Sequence, residues 1–491
     1  MIRDVDLDTT LAGEEEGQIV AGRVRELIGV SEGAASSEEG FWAVRRLCEA
    51  LARERPLVLL FEDLHWGEPT LLDLIAHLDE RAQGPILLLS AARLELREKR
   101  PSWAEAALTL EPLPEDDSQM LVTSLPGGAG LLPEARTRIL ETASGNPLFV
   151  EQLFAYVEDE GAEESTTPIP PTINALLTAR LDALPEAERV VLERASVEGK
   201  IFQRESLVEL TPERLRPTIG EHLTALVRKG LVQPERPARE AETLRFHHDL
   251  VRDAAYGALP KRTRAELHER LADWLETHAA TPDEVVGYHL EQSVRCREQL
   301  APLDEHDLEL ATRAGRKLTD AGFRARARGD ISGTRHLHER AISLLPTDSA
   351  QRVELLIELR ADEALQAARA HGDRRLELRA LVVQATKALT ETSSLGATEG
   401  MIVAAEQAIR LFEDVRDESG LAKAWRLLCY VYSHRGKTDA AIHAALCQIE
   451  HAQQVTDGYE TPIFDQLIEE HVVGRTPVPE ALLQLSSSWP S

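Results

Sequence analysis

Residues Pro56 to Pro69 read Pro-Leu-Val-Leu-Leu-Phe-Glu-Asp-Leu-His-Trp-Gly-Glu-Pro. Leu57 to Phe61 are apolar and strand-forming, and two adjacent carboxylates follow, Glu62 and Asp63. A buried parallel strand that delivers acids at its C-terminal edge can do phosphate chemistry. The first acid holds Mg²⁺ through water, and the second polarises the hydrolytic water. The plainer role is structural, because carboxylates at a strand end also cap the following turn. His65-Trp66 and Pro69, directly after the pair, sharpen the first reading. No G-x-x-x-x-G-K-[ST] phosphate loop occurs anywhere in the 491 residues. The chain therefore offers half of a nucleotide site.

Three other clusters bear on chemistry. Arg93 closes the next apolar run, where a cation can sense a γ-phosphate; by itself it reads more readily as a surface arginine that starts a helix. Gly145-Asn146-Pro147-Leu148-Phe149 opens a helix. Its proline ring can pack on an adenine base while the glycine allows the bend, and Asn as cap with Pro in the first turn is also an ordinary helix start. His247-His248-Asp249 looks like a metal or catalytic cluster. Adjacent histidines point to opposite sides of a strand end and no further ligand lies at a useful spacing, so a capping role is expected. Gly436-Lys437-Thr438 resembles the end of a phosphate loop, but Val431 stands where the upstream glycine is needed and no strand precedes it. That glycine marks a turn between two helices.

The elements that position these groups are legible from periodicity. Phe41–Arg53 carries one apolar stripe and reads as a helix, and Leu57–Phe61 as a strand. Pro69–Arg81 is a second helix, with Pro69 in its first turn. Pro85–Ala91 is a second continuously apolar strand, and Leu108–Leu110 adds a short third. Strand, helix and strand of this kind imply a parallel α/β sheet covered on both faces. From Glu111 the pattern turns helical, with a turn at Pro126-Gly127-Gly128, and Asp159 to Pro171 reads as a linker. Three helices and a hairpin (Thr172–Leu184, Glu186–Val197, Leu215–Lys229, then Leu231–Gln233 and Thr243–His247) outline a winged helix. Beyond about Asp283 only helical spacing remains. Trp425, Leu428, Tyr432, Gly436 and Ala441 fit the early positions of a tetratricopeptide unit, and Gly322, Ala325, Gly329, Ala341 and Pro346 fit another less fully. Between them, Arg352 to Ala385 loses the period, as if one helix ran into the next.

Composition narrows the function. Lys and Arg number 55 against 84 Asp and Glu, a net charge of -29. Such a surface repels nucleic acid and anionic membranes. Arg214, Arg216, Arg228 and Lys229 flank a helix that has the outline of a DNA-recognition helix, but Glu213 and Glu221 dilute its charge and favour packing. Aromatics make up 4%, so the cores are aliphatic. The four cysteines have no C-x-x-C spacing, which fits a reducing cytoplasm. No apolar run approaches the roughly 20 residues of a membrane span.

Four stretches together, Phe41 to Leu47, Pro56 to Pro69, Gly145 to Leu153 and Phe246 to Tyr256, resemble the large bacterial AAA/STAND-type regulatory ATPases. In that family the ATPase module accompanies cyclase domains or helix-turn-helix transcription domains, with tetratricopeptide repeats behind it. The resemblance implies a multidomain, mostly α chain. Its parts would be a weakly structured remnant (1–40), a partial P-loop α/β core (41–110), a helical lid (111–165), a winged helix (166–278) and tetratricopeptide-like repeats forming an α-solenoid (279–485). It implies Walker B acids at Glu62 and Asp63 (also the Mg²⁺ ligands), a sensor at Arg93 and a nucleotide-contacting lid at Gly145, Asn146 and Pro147. ATP or ADP with Mg²⁺ would be the cofactor. The family's phosphate loop and first strand are expected upstream of residue 1, making this a truncated member or half of a split gene, completed by an upstream segment or a separate chain. Loss of that loop removes the main source of ATP affinity, so an ATPase-like switch with weak or no autonomous hydrolysis is expected. The competing expectation is a non-catalytic scaffold whose repeats bind a protein partner.

Overall fold

The computed structural model describes residues 5–14, 16–28, 37–159, 172–235, 243–277, 281–392 and 398–455. The chain divides into two units, residues 1–99 with 311–491, and residues 100–310. Among the described residues no helix is long and apolar enough to cross a membrane.

In the first unit, β1 (Leu57–Phe61) and β2 (Ile86–Ser90) pair in parallel, from Leu57 opposite Ile86 to Phe61 opposite Ser90. The connection between them is the helix Pro69–Arg81, whose Leu72, Ile75 and Leu78 are buried. The helix Ser37–Glu54 buries two stripes. Val44 and Cys48 pack with Leu59 of β1 and Leu78, while Ala43, Leu47 and Ala50 pack with Leu7, Leu11, Val20 and Val24. Within the span 1–40 the described residues form two helices. Helices Leu7–Leu11 and Gly17–Leu27 dock on the back of Ser37–Glu54, because Leu7, Leu11, Val20 and Val24 find an apolar stripe there. Ser37 to Gly40 form the first turn of that helix. In the second unit, Leu108–Leu110 forms no strand; local β-propensity alone does not hold a strand without a pairing partner.

The rest of this unit is a run of helices: Ile331–Leu344, Ala350–Leu359, Ala361–His371, Arg374–Thr392, Thr398–Val415, Glu418–His434 and Thr438–Gln454. The helix Glu305–Ala327 leads into them. Small residues permit close approach. A Cβ on Gly322 would lie 2.1 Å from Nε2 of His338. Gly436 turns the chain between two helices at φ +64°. The lost period between Arg352 and Ala385 has a local cause: Ala350–Leu359 and Ala361–His371 are separated by Arg360 alone, at φ -139° and ψ 64°.

The second unit holds helices Glu115–Ser124, Pro133–Ala143 and Pro147–Asp159, joined through Val122, Ile139, Val150 and Leu153. Beyond them, β3 (Ile201–Gln203), β4 (Val232–Pro234) and β5 (Thr243–Phe246) form an antiparallel sheet in the order β3-β5-β4. Its core centres on Phe202 and Phe246, with ring centroids 5.4 Å apart. The arginine-flanked helix is shorter than its pattern suggests, running as 3₁₀ over Glu213–Thr218 around Pro217 and as α over Ile219–Arg228. Of its flanking cations, Arg214 pairs with Glu186 at 3.3 Å, Arg216 with Glu209 at 3.7 Å and Lys229 with Glu188 at 2.9 Å. His248 caps the helix Asp249–Ala258 by accepting the Leu250 N–H.

Three helices of this unit enclose a histidine relay. The Tyr256 hydroxyl lies 2.9 Å from Nε2 of His268, and Nδ1 of His268 lies 2.9 Å from Nδ1 of His289. Neutral rings satisfy that chain, each link having one proton. Burial, and then the neighbouring His289, hold His268 well below the ordinary histidine value, and burial takes His289 down to about 4. Burial acts oppositely on Glu198, raising its carboxyl to about 7 against the pull of hydrogen bonds from Ser206 and the Gln203 N–H.

These shifts oppose one another in one pH window. Depressed histidines give stability that is complete above about pH 6.5 and lost as pH falls toward 4. The raised carboxyl gives stability that is complete below about pH 4.5 and lost as pH rises through 7. Two histidines outweigh one carboxyl, so protection of Lys261–Thr277 and Asp283–Glu298 against amide exchange should rise from pH 4.5 to 6.5. Glu198→Gln should steepen the rise and His289→Gln should flatten it.

Candidate functional site

The acid pair sits where β1 ends. The parallel ladder continues one step past the strands, with the Ala91 N–H donating to the Phe61 carbonyl at 2.8 Å and the Leu64 N–H to the Ala91 carbonyl at 3.0 Å. Glu62 and Asp63 are exposed at that edge. Asp63 takes a left-handed backbone, φ 53° and ψ 34°, and starts the 3₁₀ turn Leu64–Trp66. Asp tolerates this region better than most residues. The reversal buries Leu64 and His65 beneath the turn. Nδ1 of His65 accepts the Arg93 N–H at 3.5 Å, tying the acid turn to the segment that follows β2. Glu62, Asp63 and the Arg93 backbone are thus brought to one end of the parallel pair, and the Arg93 side chain is exposed. His65 lies inside the informative stretch, but only the fold reveals its role as the tie between the two strand ends.

Gly145, Asn146 and Pro147 belong to the other unit. Ser144 and Gly145 are consecutive left-handed residues, at φ 48° and 77°. Gly145 is buried, its carbonyl accepts the Leu113 N–H at 2.8 Å, and a Cβ there would lie 2.5 Å from the Leu113 carbonyl oxygen. Asn146 Oδ1 accepts the Phe149 N–H at 3.1 Å, and Pro147 is the exposed first residue of its helix. The capping role is therefore satisfied by Asn146, which leaves the Pro147 ring facing solvent.

The donor set decides how far a nucleotide fits. Among the described residues no group of three or more His, Cys, Asp and Glu side chains is placed to hold a metal ion. Glu62 and Asp63 suit a cation bound through water and completed by phosphate oxygens. Among the described residues, no backbone cradle for those phosphates accompanies them. They fit the metal side of a Mg²⁺–nucleotide and leave its phosphate side unsupported.

Among the described residues, one face of the sheet is bare: Val58, Leu60, Leu87 and Leu89 all point to it and are 54–58% exposed. The opposite face, through Leu59, Ile86 and Leu88, is packed by helices. A parallel sheet with one naked apolar face departs from the rule that such sheets are covered on both sides, and a patch of this kind marks a binding surface.

No family model matches this chain. An uncharacterized protein of Rhizobium meliloti (strain 1021) is 28% identical over 271 residues, half of this chain, and the chain spans 26% of that relative's length. Among solved structures, a Signal Transduction ATPase with Numerous Domains (STAND) protein with a tetratricopeptide repeat sensor, from Pyrococcus horikoshii, is similar at a TM-score of 0.40 and 14% identity. That similarity extends over 99% of this chain and 72% of the other.

Two left-handed positions give testable costs. Asp63→Gly should leave stability within about 0.5 kcal/mol, whereas Asp63→Val should cost about 1–2 kcal/mol in urea denaturation. Gly145→Ala should cost about 1–3 kcal/mol in the 100–310 unit, through both φ and the contact with Leu113. Threonine at Val58, Leu60, Leu87 and Leu89 together should keep the fold by circular dichroism and reduce binding of a hydrophobic dye at least two-fold.

Proposed function

We propose that this chain is a regulatory nucleotide-switch module of the STAND type, with weak or no hydrolysis of its own. Its phosphate cradle comes from polypeptide other than these 491 residues, as an upstream segment or a separate chain. The observation that carries this reading is the acid pair at the C-terminal end of β1, beside a sheet whose second face is bare. A further strand and helix would cover that face and bring phosphate-binding amides to the acids.

In this reading Glu62 would hold Mg²⁺ through water, Asp63 would polarise the water that faces the γ-phosphate, and Arg93 would contribute positive charge from the neighbouring strand end. When bound, the Mg²⁺–nucleotide supplies the charge that draws these groups together. His65 keeps the two strand ends in register. Gly145, Asn146 and Pro147 form the lid turn, Pro147 offering its ring to the base. The three-stranded element with its helices is the winged helix of such modules, and the helical run is their tetratricopeptide-like sensor, which binds a protein partner in the cytoplasm. Cyclase or transcription output would come from a domain joined to this module.

Calorimetric titration of the whole chain with Mg-ATP tests the reading. The expected result is binding no tighter than about 100 μM, weakened at least five-fold by Asp63→Asn, with no phosphate release above background. Binding that ignores Asp63→Asn overturns the site. Complete absence of binding at millimolar Mg-ATP overturns the switch in this chain and leaves a non-catalytic repeat scaffold.

A further inference from the structure

The last helix among the described residues, Thr438–Gln454, carries a line of metal-donor side chains. Asp439, His443, Cys447 and Glu450 follow one another at spacings of four, four and three, which stack on one face of a helix. The packing of the array uses the opposite face, where Ala441, Ile442, Ala444, Ala445 and Ile449 are buried. Asp439, His443 and Glu450 are exposed and Cys447 is half-buried. Of the four cysteines, Cys447 alone is not buried.

Two of these donors already stand at coordination spacing. Sγ of Cys447 lies 3.8 Å from Nε2 of His443. A zinc-class cation about 2.3 Å from sulfur and about 2.0–2.1 Å from nitrogen, at a tetrahedral angle, holds those atoms about 3.6 Å apart. The cation therefore fits between them with a small side-chain adjustment and no change of backbone. The imidazole is held as well, because the Trp425 ring of the neighbouring helix packs edge-on against it at 5.7 Å. Among the described residues His443 has no hydrogen-bond partner besides the thiol, and neither Asp439 nor Glu450 is in an ion pair. Their charge stays available to attract a cation to this face. Burial, and then the nearby Glu450 carboxylate, raise the Cys447 thiol above its ordinary value. A metal that binds the sulfur must displace a proton, which lowers affinity and keeps the ion exchangeable.

We propose that His443 and Cys447 form a two-donor clip for a soft divalent cation of the zinc class on the exposed face of Thr438–Gln454. Imidazole and thiolate select such a metal over Mg²⁺ or Ca²⁺. No third protein donor is placed beside them among the described residues, so water fills the remaining positions and can yield to a donor from another molecule. Binding forms one bond to nitrogen and one to sulfur, sends the thiol proton to solvent and leaves every oxidation state unchanged. Occupancy staples one turn of the helix. The clip goes beyond the nucleotide reading and is independent of it: the acid pair after β1 offers oxygen donors that suit Mg²⁺, and either site can fail alone.

Titration of the full chain with Co²⁺ tests the clip, under a phosphine reductant and with excess Mg²⁺ to occupy carboxylates. The expected result is a thiolate-to-cobalt charge-transfer band in the near ultraviolet that saturates at one equivalent and is erased by Zn²⁺. Cys447→Ser should abolish the band, and His443→Gln should weaken Co²⁺ binding at least five-fold. Circular dichroism of both variants should match that of the parent chain, since neither side chain is in the core. A band that survives Cys447→Ser belongs to another cysteine and overturns the site. A band that is lost in Cys447→Ser but titrates unchanged in His443→Gln overturns the clip and leaves a thiol acting alone. Absence of the band at millimolar Co²⁺ overturns the proposal outright.

Discussion

A parallel β-pair cannot hide both of its faces by itself, and much of the first unit follows from that constraint. The five aligned pairs from Leu57–Ile86 to Phe61–Ser90 put Leu59 and Leu88 on one side and Val58, Leu60, Leu87 and Leu89 on the other. Helices Ser37–Glu54 and Pro69–Arg81 satisfy the first side. Helices Leu7–Leu11 and Gly17–Leu27 stack on the far side of Ser37–Glu54 rather than on the bare face, so they strengthen one layer and, among the described residues, leave the sheet half covered. Fully burying a leucine or valine contributes about 1.5–3 kcal/mol, and four such side chains stand more than half exposed. That is a strong drive for association with whatever supplies the second layer.

The same constraint sets the chemistry. Strand ends are where backbone pairing stops and side chains turn outward, and the turn at Asp63, bent by its left-handed backbone, is held by two contacts: the Leu64 N–H on the Ala91 carbonyl and His65 on the Arg93 N–H. Together they fix the acids against the end of the neighbouring strand without requiring a ligand. A pre-set acid pair with no phosphate cradle is suited to reporting a nucleotide held largely by other groups. Catalysis would need the attacking water and the transferring phosphoryl fixed together.

Legibility in the sequence followed the range of the forces involved. Leu57–Phe61 and Pro69–Arg81 were readable to the residue, because a continuous apolar run and a proline-started stripe are local signals. Gly145, Asn146 and Gly436 were readable as turn chemistry for the same reason. Ile201–Gln203 was not: three residues have no period, and the strand exists because β5 pairs with it. Leu108–Leu110 failed in the opposite sense, having strand composition but no edge to join. The role of His65 and the left-handed Asp63 depend on a neighbouring strand end, so neither leaves a mark in local spacing. The histidine relay was invisible too, since His268 and His289 are 21 residues apart and meet only when their helices pack.

The acid turn and the helical array share one unit, and a continuous line of packed groups joins them. The turn leads directly into Pro69–Arg81, whose Thr70 hydroxyl donates to Oδ1 of Asp330 at 2.8 Å. That same oxygen accepts the Gly333 N–H at 2.8 Å and so caps Ile331–Leu344. One turn further on, His338 presses against Gly322, meets the Thr319 carbonyl at 3.2 Å and sets its ring against Phe323 at 5.2 Å. Contiguity alone does not make a coupling; an element with two arrangements is needed. Asp330 has the chemistry for one, because a single carboxylate oxygen serves both the helix cap and the contact with Thr70. A shift of Pro69–Arg81 that withdraws the hydroxyl leaves the cap intact but frees the helix start from the sheet. The helix that carries His338 is then positioned by the array alone.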